Sequence, residues 1–115
     1  MPTAPAHAIF TGHRTVSGQS PVEVLVTASC MPEEPGLVRL CCVDEQACEI
    51  AMWSFSRDAL LDGLTNPVTS RSVTLQPLDF ALLFSLDGGS ARRSLVQLDR
   101  AEVASFLVGL CLSGR

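Results

Sequence analysis

The side chains able to do chemistry in this sequence are few and dispersed. His7 and His13 both lie near the N-terminus, and no Ser or Cys stands in a nucleophile signature such as G-x-S-x-G. The histidines therefore read as surface or strand-edge residues, and no catalytic residue is predicted. Five cysteines, Cys30, Cys41, Cys42, Cys48 and Cys111, make an odd set without a C-x-x-C pair. Cys41 and Cys42 are neighbours in a predicted strand, where consecutive side chains point to opposite faces and cannot readily share one tetrahedral metal. The cysteines read as small core residues, with no metal site expected. Gly88-Gly89 lacks the G-x-x-x-x-G-K-[ST] pattern and the chain has no Lys, so a phosphate loop is not supported. No cofactor is expected.

What remains is recognition chemistry. Arg57 carries a rigid fork of donors that can hold a carboxylate or carbonyls at an interface, or can simply pair locally. Asp58 beside it sits where a helix dipole favours negative charge, or forms with Arg57 a corner for a partner. Trp53 falls, by the hairpin register argued below, on a mixed face with Arg39 and Glu49. That placement suits an oligomer interface, where Trp and Arg are over-represented as anchors, although Trp and Phe are more often core residues. Trp53, Arg57, Asp58 and Arg39 are thus the candidate partner or subunit contacts. Arg92, Arg93 and Arg100 form the only basic cluster. With no Tyr in the chain and no aromatic between them, they read as a solvated edge that discourages sheet pairing, not as a nucleic-acid face.

These residues must be positioned by one domain. The length, 115 residues, fits a single core, and 47% apolar against 17% charged residues is too hydrophobic for a disordered chain. Net charge is −4, so the overall field does not attract nucleic acid or anionic lipid. No segment has a signal-peptide pattern or the ~18 uninterrupted apolar residues of a membrane-spanning helix. A cytoplasmic protein without membrane insertion is expected, with reduced thiols.

Residues 1–6 read as a loose tail, and 7–115 as the domain. Its first strand is expected to begin between Ala6 and Gly12. Val22 to Ala28 alternates as a second, and the prolines and Gly36 of the following stretch mark a turn. Leu37–Val43 and Ala47–Trp53 read as a hairpin. A three-residue loop, Asp44-Glu45-Gln46, sets Cys42 opposite Cys48, Leu40 opposite Ile50 and Val38 opposite Met52, making one face wholly apolar. That register leaves Arg39, Glu49 and Trp53 on the other face, and makes Cys42 and Cys48 the pair to watch under oxidation.

The period then changes. After Ser56 the apolar residues fall at Leu60, Leu61 and Leu64, a helical stripe with Ser56 as N-cap, Asp58 in the first turn and Gly63 near the stop. A strand over Val68–Leu75, a turn at Gln76–Asp79 and a strand over Phe80–Leu86 follow. Asp87-Gly88-Gly89-Ser90 signals a hairpin turn into Ala91–Leu98. Its simplest pairing sets Leu86 against Ala91, Leu82 against Leu95 and, less cleanly, Phe84 against Arg93. Asp99, with Glu102 three residues on, caps a final helix whose stripe is Val103, Phe106, Leu107 and Leu110. The order ββββαβββα is an α+β class with antiparallel sheets.

The junction W-S-F-S-R-D-A-L-L-D-G-L, Trp53 to Leu64, resembles the Trp-x-Phe-x-Arg-Asp-Leu-Leu-x-x-Gly-Leu segment of the SsgA-like proteins, cell-division regulators of sporulating actinobacteria. Ala59 replaces the first Leu of the pair, and the spacing from Arg57 to Leu64 is kept. Similarity continues upstream at Ser20-Pro21-Val22 and downstream at Val73–Pro77 and Ser105-Phe106-Leu107. The resemblance implies a fold like that of the whirly single-stranded nucleic-acid-binding proteins, assembled as a homotrimer. It also implies a non-enzymatic role in sporulation septum placement, exerted at division septa through the tubulin-like FtsZ or another SsgA-like protein. Members of that family commonly continue further at the C-terminus. The alternative expectation is a whirly-like binder of single-stranded nucleic acid.

Overall fold

In the computed structural model, residues 6–16, 18–31, 33, 34, 36–44, 49–71, 73–87 and 93–113 are described. Among these residues the period-two segments become eight strands: β1 (Ala6–Val16), β2 (Val22–Cys30), β3 (Leu37–Val43), β4 (Glu49–Ser56), β5 (Val68–Ser70), β6 (Val73–Pro77), β7 (Ala81–Asp87) and β8 (Arg93–Asp99). Two helices, α1 (Arg57–Gly63) and α2 (Arg100–Ser113), follow β4 and β8. The α+β antiparallel class therefore holds. One strand more than expected arises because Val68–Leu75 turns back on itself at Arg71, pairing Ser70 with Val73. The loose tail expected over residues 1–6 lies, apart from Ala6 at the start of β1, outside the described residues.

All eight strands form one antiparallel sheet in the order β4-β3-β2-β1-β8-β7-β6-β5. Two four-strand meanders, each followed by a helix, are thus joined through β1 and β8, and the sheet has two ends, β4 and β5. The sheet curls until its arms meet across the core. Trp53 and Phe55 of β4 both pack on Phe84 of β7, with ring centroids 5.4 and 5.9 Å apart. Phe84 is wholly buried, together with Leu75, Leu82, Val26, Val38 and Val96, each such side chain stabilising the fold by roughly 1.5–3 kcal/mol through burial. Helix α2 buries Val103, Leu107 and Leu110, with Phe106 edge-on to Phe10 of β1 at 6.0 Å.

Both hairpin registers differ from the sequence expectation, and by the same amount. Between β3 and β4, Leu40 pairs with Trp53, Val38 with Phe55 and Cys41 with Met52, with a shift between Cys42 and Val43. A three-residue slip is odd, so it exchanges the faces of β4. Trp53 is only 6% exposed on the inner face, whereas Met52 is 60% exposed on the outer. The mixed face proposed for Trp53 with Arg39 is therefore corrected: Arg39 pairs with Ser54 and points outward. Cys42 faces Ala51, not Cys48; Cys48 itself lies outside the described residues. Between β7 and β8, Phe84 pairs with Val96 and Leu82 with Leu98, replacing the polar partner Arg93 by an apolar one. Phe80, expected as the first residue of this strand, falls before it and is 87% exposed.

The helix starts are as the sequence dictates. Ser56 Oγ accepts from the Ala59 N–H at 3.1 Å. Asp99 Oδ1 accepts from the Ala101 and Glu102 N–H groups at 2.8 and 3.2 Å, placing a negative charge at the positive end of the helix dipole. Gly63 does more than end α1. A Cβ there would collide with the buried Leu75 side chain, so its absence lets the helix lie close on β6. Arg100 is also reassigned, since its Nε donates to the Leu64 carbonyl at 2.8 Å, tying the start of α2 to the end of α1. It belongs to that bridge and not to a solvated basic edge.

Candidate functional site: a seam between the two sheet ends

The curl of the sheet brings its two ends to opposite sides of a cleft of about 580 Å³. Five consecutive residues of β4, Met52 to Ser56, line it. Strand side chains alternate between faces, so an unbroken run of five can border one space only along the strand's edge. The far rim is the β5–β6 turn, represented by Ser70, Arg71 and Val73.

One bond beyond the end of the ladder sets the hydrogen-bond phase of that edge. The Arg57 N–H donates to the Gly36 carbonyl at 2.8 Å, one pair beyond Leu37 and Ser56. Bonded and non-bonded pairs alternate along an antiparallel ladder, so Phe55 and Trp53 exchange their main-chain bonds with β3. Met52 and Ser54 turn their N–H and C=O groups away from β3, into the seam.

Arginine supplies the charge. Arg39 on the outer face of β3 and Arg71 on the opposite rim both line the cleft, and no Asp or Glu does among the described residues. Arg39 meets Glu34 at 3.5 Å, both side chains being about half exposed, a pair weak enough to exchange with another carboxylate. Arg71 has a positive φ of 55°. A two-residue hairpin loop of either primed type needs positive φ at its first position, which Gly, Asn or Asp usually supplies. Arginine there is a strained choice.

Of the four residues singled out from sequence, Trp53 and Arg39 line this cleft, whereas Arg57 and Asp58 sit just beyond the end of β4. The Trp53 indole N–H is buried with no acceptor among the described residues. The Arg57 Nε is likewise buried without a hydrogen-bond acceptor among the described residues, and its approach to Asp58 at 4.0 Å is too long for a hydrogen bond. Asp58 is 89% exposed. Sequence reasoning missed Arg71, whose signal was present: an Arg-Ser dipeptide in the middle of a run too polar at that point to be one strand. Two shallower depressions adjoin Leu64, Asp79 and Arg100, but the arginine they share is engaged by the Leu64 carbonyl.

The cysteines keep their packing role where they are described. Cys42 is fully buried, and desolvation pushes its thiol pKa up, with nearby Arg14 opposing and Asp44 reinforcing that shift. A thiol so held stays protonated and unreactive near neutrality. Among the described residues no His/Cys/Asp/Glu group could hold a metal ion, and no helix is long and apolar enough to cross a membrane.

Comparison with known proteins agrees with this architecture. The solved structures that it resembles include one from work relating mutations in SsgB to longitudinal cell division during sporulation of Streptomyces coelicolor. That match has a TM-score of 0.81 at 19% identity, covering 93% of this chain and 86% of that one. An SsgA-like sporulation-specific cell division protein from Thermobifida fusca matches with a TM-score of 0.81 at 14% identity, over 93% and 80% of the two chains. At these identities the likeness establishes the fold. No curated protein sequence matches the chain. The family model described as Streptomyces sporulation and cell division protein, SsgA, matches residues 24–110, and the chain belongs to that family.

Proposed function

We propose that this protein is a non-enzymatic regulator of sporulation-specific cell division, acting on septum placement through protein–protein contacts with FtsZ or with another SsgA-like protein. The observation that carries the reading is the family match over residues 24–110, which takes in both candidate arginines, Arg39 and Arg57, and the whole of β4. The protein works in the cytoplasm at division septa, as a homo-oligomer, with a trimer favoured. Arg39 and Asp58 offer side chains at the surface, Arg57 is partly covered beside them, and Trp53 backs them from the core.

The reading is tested in a sporulating actinobacterial host by deleting the gene and imaging septa alongside a fluorescent fusion. Misplaced or missing sporulation septa, with the fusion at septa in the complemented strain, are the expected result. Normal septation together with diffuse fluorescence would sink it. Purified protein should co-pellet with FtsZ polymers directly, or only when a second SsgA-like protein is added. Light scattering should give about three times the 12.3 kDa chain mass. Steeply salt-dependent binding to single-stranded oligonucleotide, with no protein partner, would replace this reading by the nucleic-acid one.

A further inference from the structure

We infer that the seam between β4 and the β5–β6 turn is a docking groove for an extended, acidic peptide segment of a partner protein, which adds to the sheet as a strand along β4. The backbone of β4 and the charge of the cleft point there. The main-chain groups of Met52 and Ser54 face the seam by the phase of the β3–β4 ladder, and β4 ends the sheet. An incoming strand supplies the partners that β3 does not give these groups, the mode by which exposed sheet edges capture peptides. The run from Met52 to Ser56 spans about 17 Å at ~3.4 Å per residue, room for a five-residue contact.

Charge selects the peptide. In a chain of net charge −4, the seam carries Arg39 and Arg71 on opposite sides and no lining carboxylate among the described residues. Glu or Asp side chains on alternate positions of the added strand reach toward the outer-face guanidinium of Arg39, and Arg71 lies across the groove to meet its other flank. Arg71 holds a left-handed backbone conformation where a glycine would be less strained. Strain retained at a rim residue is the pattern found where a side chain is kept for binding. Outward-facing Met52, 60% exposed, offers an adaptable apolar contact between the two charges.

A peptide fits this site better than a nucleic-acid strand. Trp53, 6% exposed, and Phe55, 1% exposed, are packed on Phe84, so no aromatic ring in the seam is free to stack a base. The inference stands on the seam alone. A septation defect is read in cells and peptide capture is read on the purified protein, so either can fail without the other.

Trp53 is the only Trp of the chain and lines the groove, so its emission reports occupancy. The probe is a ten-residue peptide of alternating Glu and Val, titrated into the full-length protein at low salt. Saturable change in Trp53 emission is expected, with affinity falling about fivefold or more as salt is raised to ~0.5 M. Replacing every Glu of the probe by Lys should cost about tenfold, and N-methylating alternate amides along one peptide edge should abolish binding. Arg39→Gln and Arg71→Gly should each weaken binding about fivefold or more while the thermal transition is retained. An unchanged emission up to about millimolar peptide would overturn the inference. Equal binding of the Lys probe, indifference to N-methylation, or stronger binding of a ten-nucleotide oligothymidine than of the Glu peptide would do so as well.

Discussion

The two ends of the sheet are built differently, although each closes a four-strand meander. At one end β5 is three residues long, Val68–Ser70, and turns at once into β6. At the other, β4 runs for eight residues, Glu49–Ser56, with no Pro and with a register shift only at its far end from the helix. A short edge strand is one of the ordinary defences against unwanted pairing, and a long regular edge is the exposed case. One end is therefore protected and the other is left able to pair. The helices repeat the asymmetry, since α1 has seven residues and one hydroxyl cap, whereas α2 has fourteen and a carboxylate cap. The half that carries the open edge is the one with the shorter helix.

The comparison breaks most completely where the halves are fastened together. Phe84 belongs to the second meander yet packs on Trp53 and Phe55 of the first. Phe84→Ala should cost about 3–5 kcal/mol, seen as a lower midpoint in chemical denaturation, with both halves unfolding in one transition. Retention of a separate transition for one meander would show that the halves are independent units. Gly12 sits where β1 meets β8, opposite Leu98, and a Cβ there would collide with the Gln97 carbonyl oxygen and the buried Leu98 side chain. A main-chain atom cannot swing aside, so Gly12→Ala should cost about 1–3 kcal/mol. A neutral effect would mean that the β1–β8 join has slack that its geometry does not suggest.

Much of this organisation was legible in the residues. The class, the two helices and their caps follow from changes of period and from Ser56 and Asp99. Strand registers were not, and for one reason. On sequence grounds the first hairpin pairs through a three-residue loop that makes one face apolar and the second through its simplest turn, whereas β3 resumes as β4 only after residues 44–48, and β7 as β8 only after residues 88–92. Side-chain period constrains which residues share a face but not how many residues the connection spends, and the shift at Cys42 and Val43 changes the count within the ladder itself. The difference in register places Trp53 on the inner face and not on a mixed face with Arg39 and Glu49. The seam was illegible for a further reason: it joins strands fourth and fifth in sequence but at opposite ends of the sheet, a proximity created only by the curl. Arg71 could be reached from sequence only by seeing a turn where the run Val68–Leu75 looks like one strand.

The caps give a finer comparison of the halves. Asp99 accepts two N–H groups and adds a charge at the dipole, and Ser56 accepts one. Asp99→Ala should cost about 1–2 kcal/mol and Ser56→Ala about 0.5–1 kcal/mol, measured by urea denaturation under the same conditions. A larger loss at Ser56 would mean that α1, despite its length, is the more demanding element.

The smallest expected effect has the opposite sign. Arg71 at φ 55° bears a left-handed backbone penalty of roughly 1–2 kcal/mol for a residue with a Cβ. Arg71→Gly removes it but adds about 0.5–1 kcal/mol of unfolded-chain freedom. The first quantity exceeds the second, and the side chain is exposed with no ion-pair partner among the described residues. The variant should therefore be more stable by about 0.5–1 kcal/mol, a rise of roughly 2–6 °C in melting temperature. A fall would show that the guanidinium holds the turn in place, and the strain would then be a requirement of folding. A rise accompanied by weaker peptide capture would separate the two roles, because the β5 end would then be sacrificing stability to present a cation across the seam from β4.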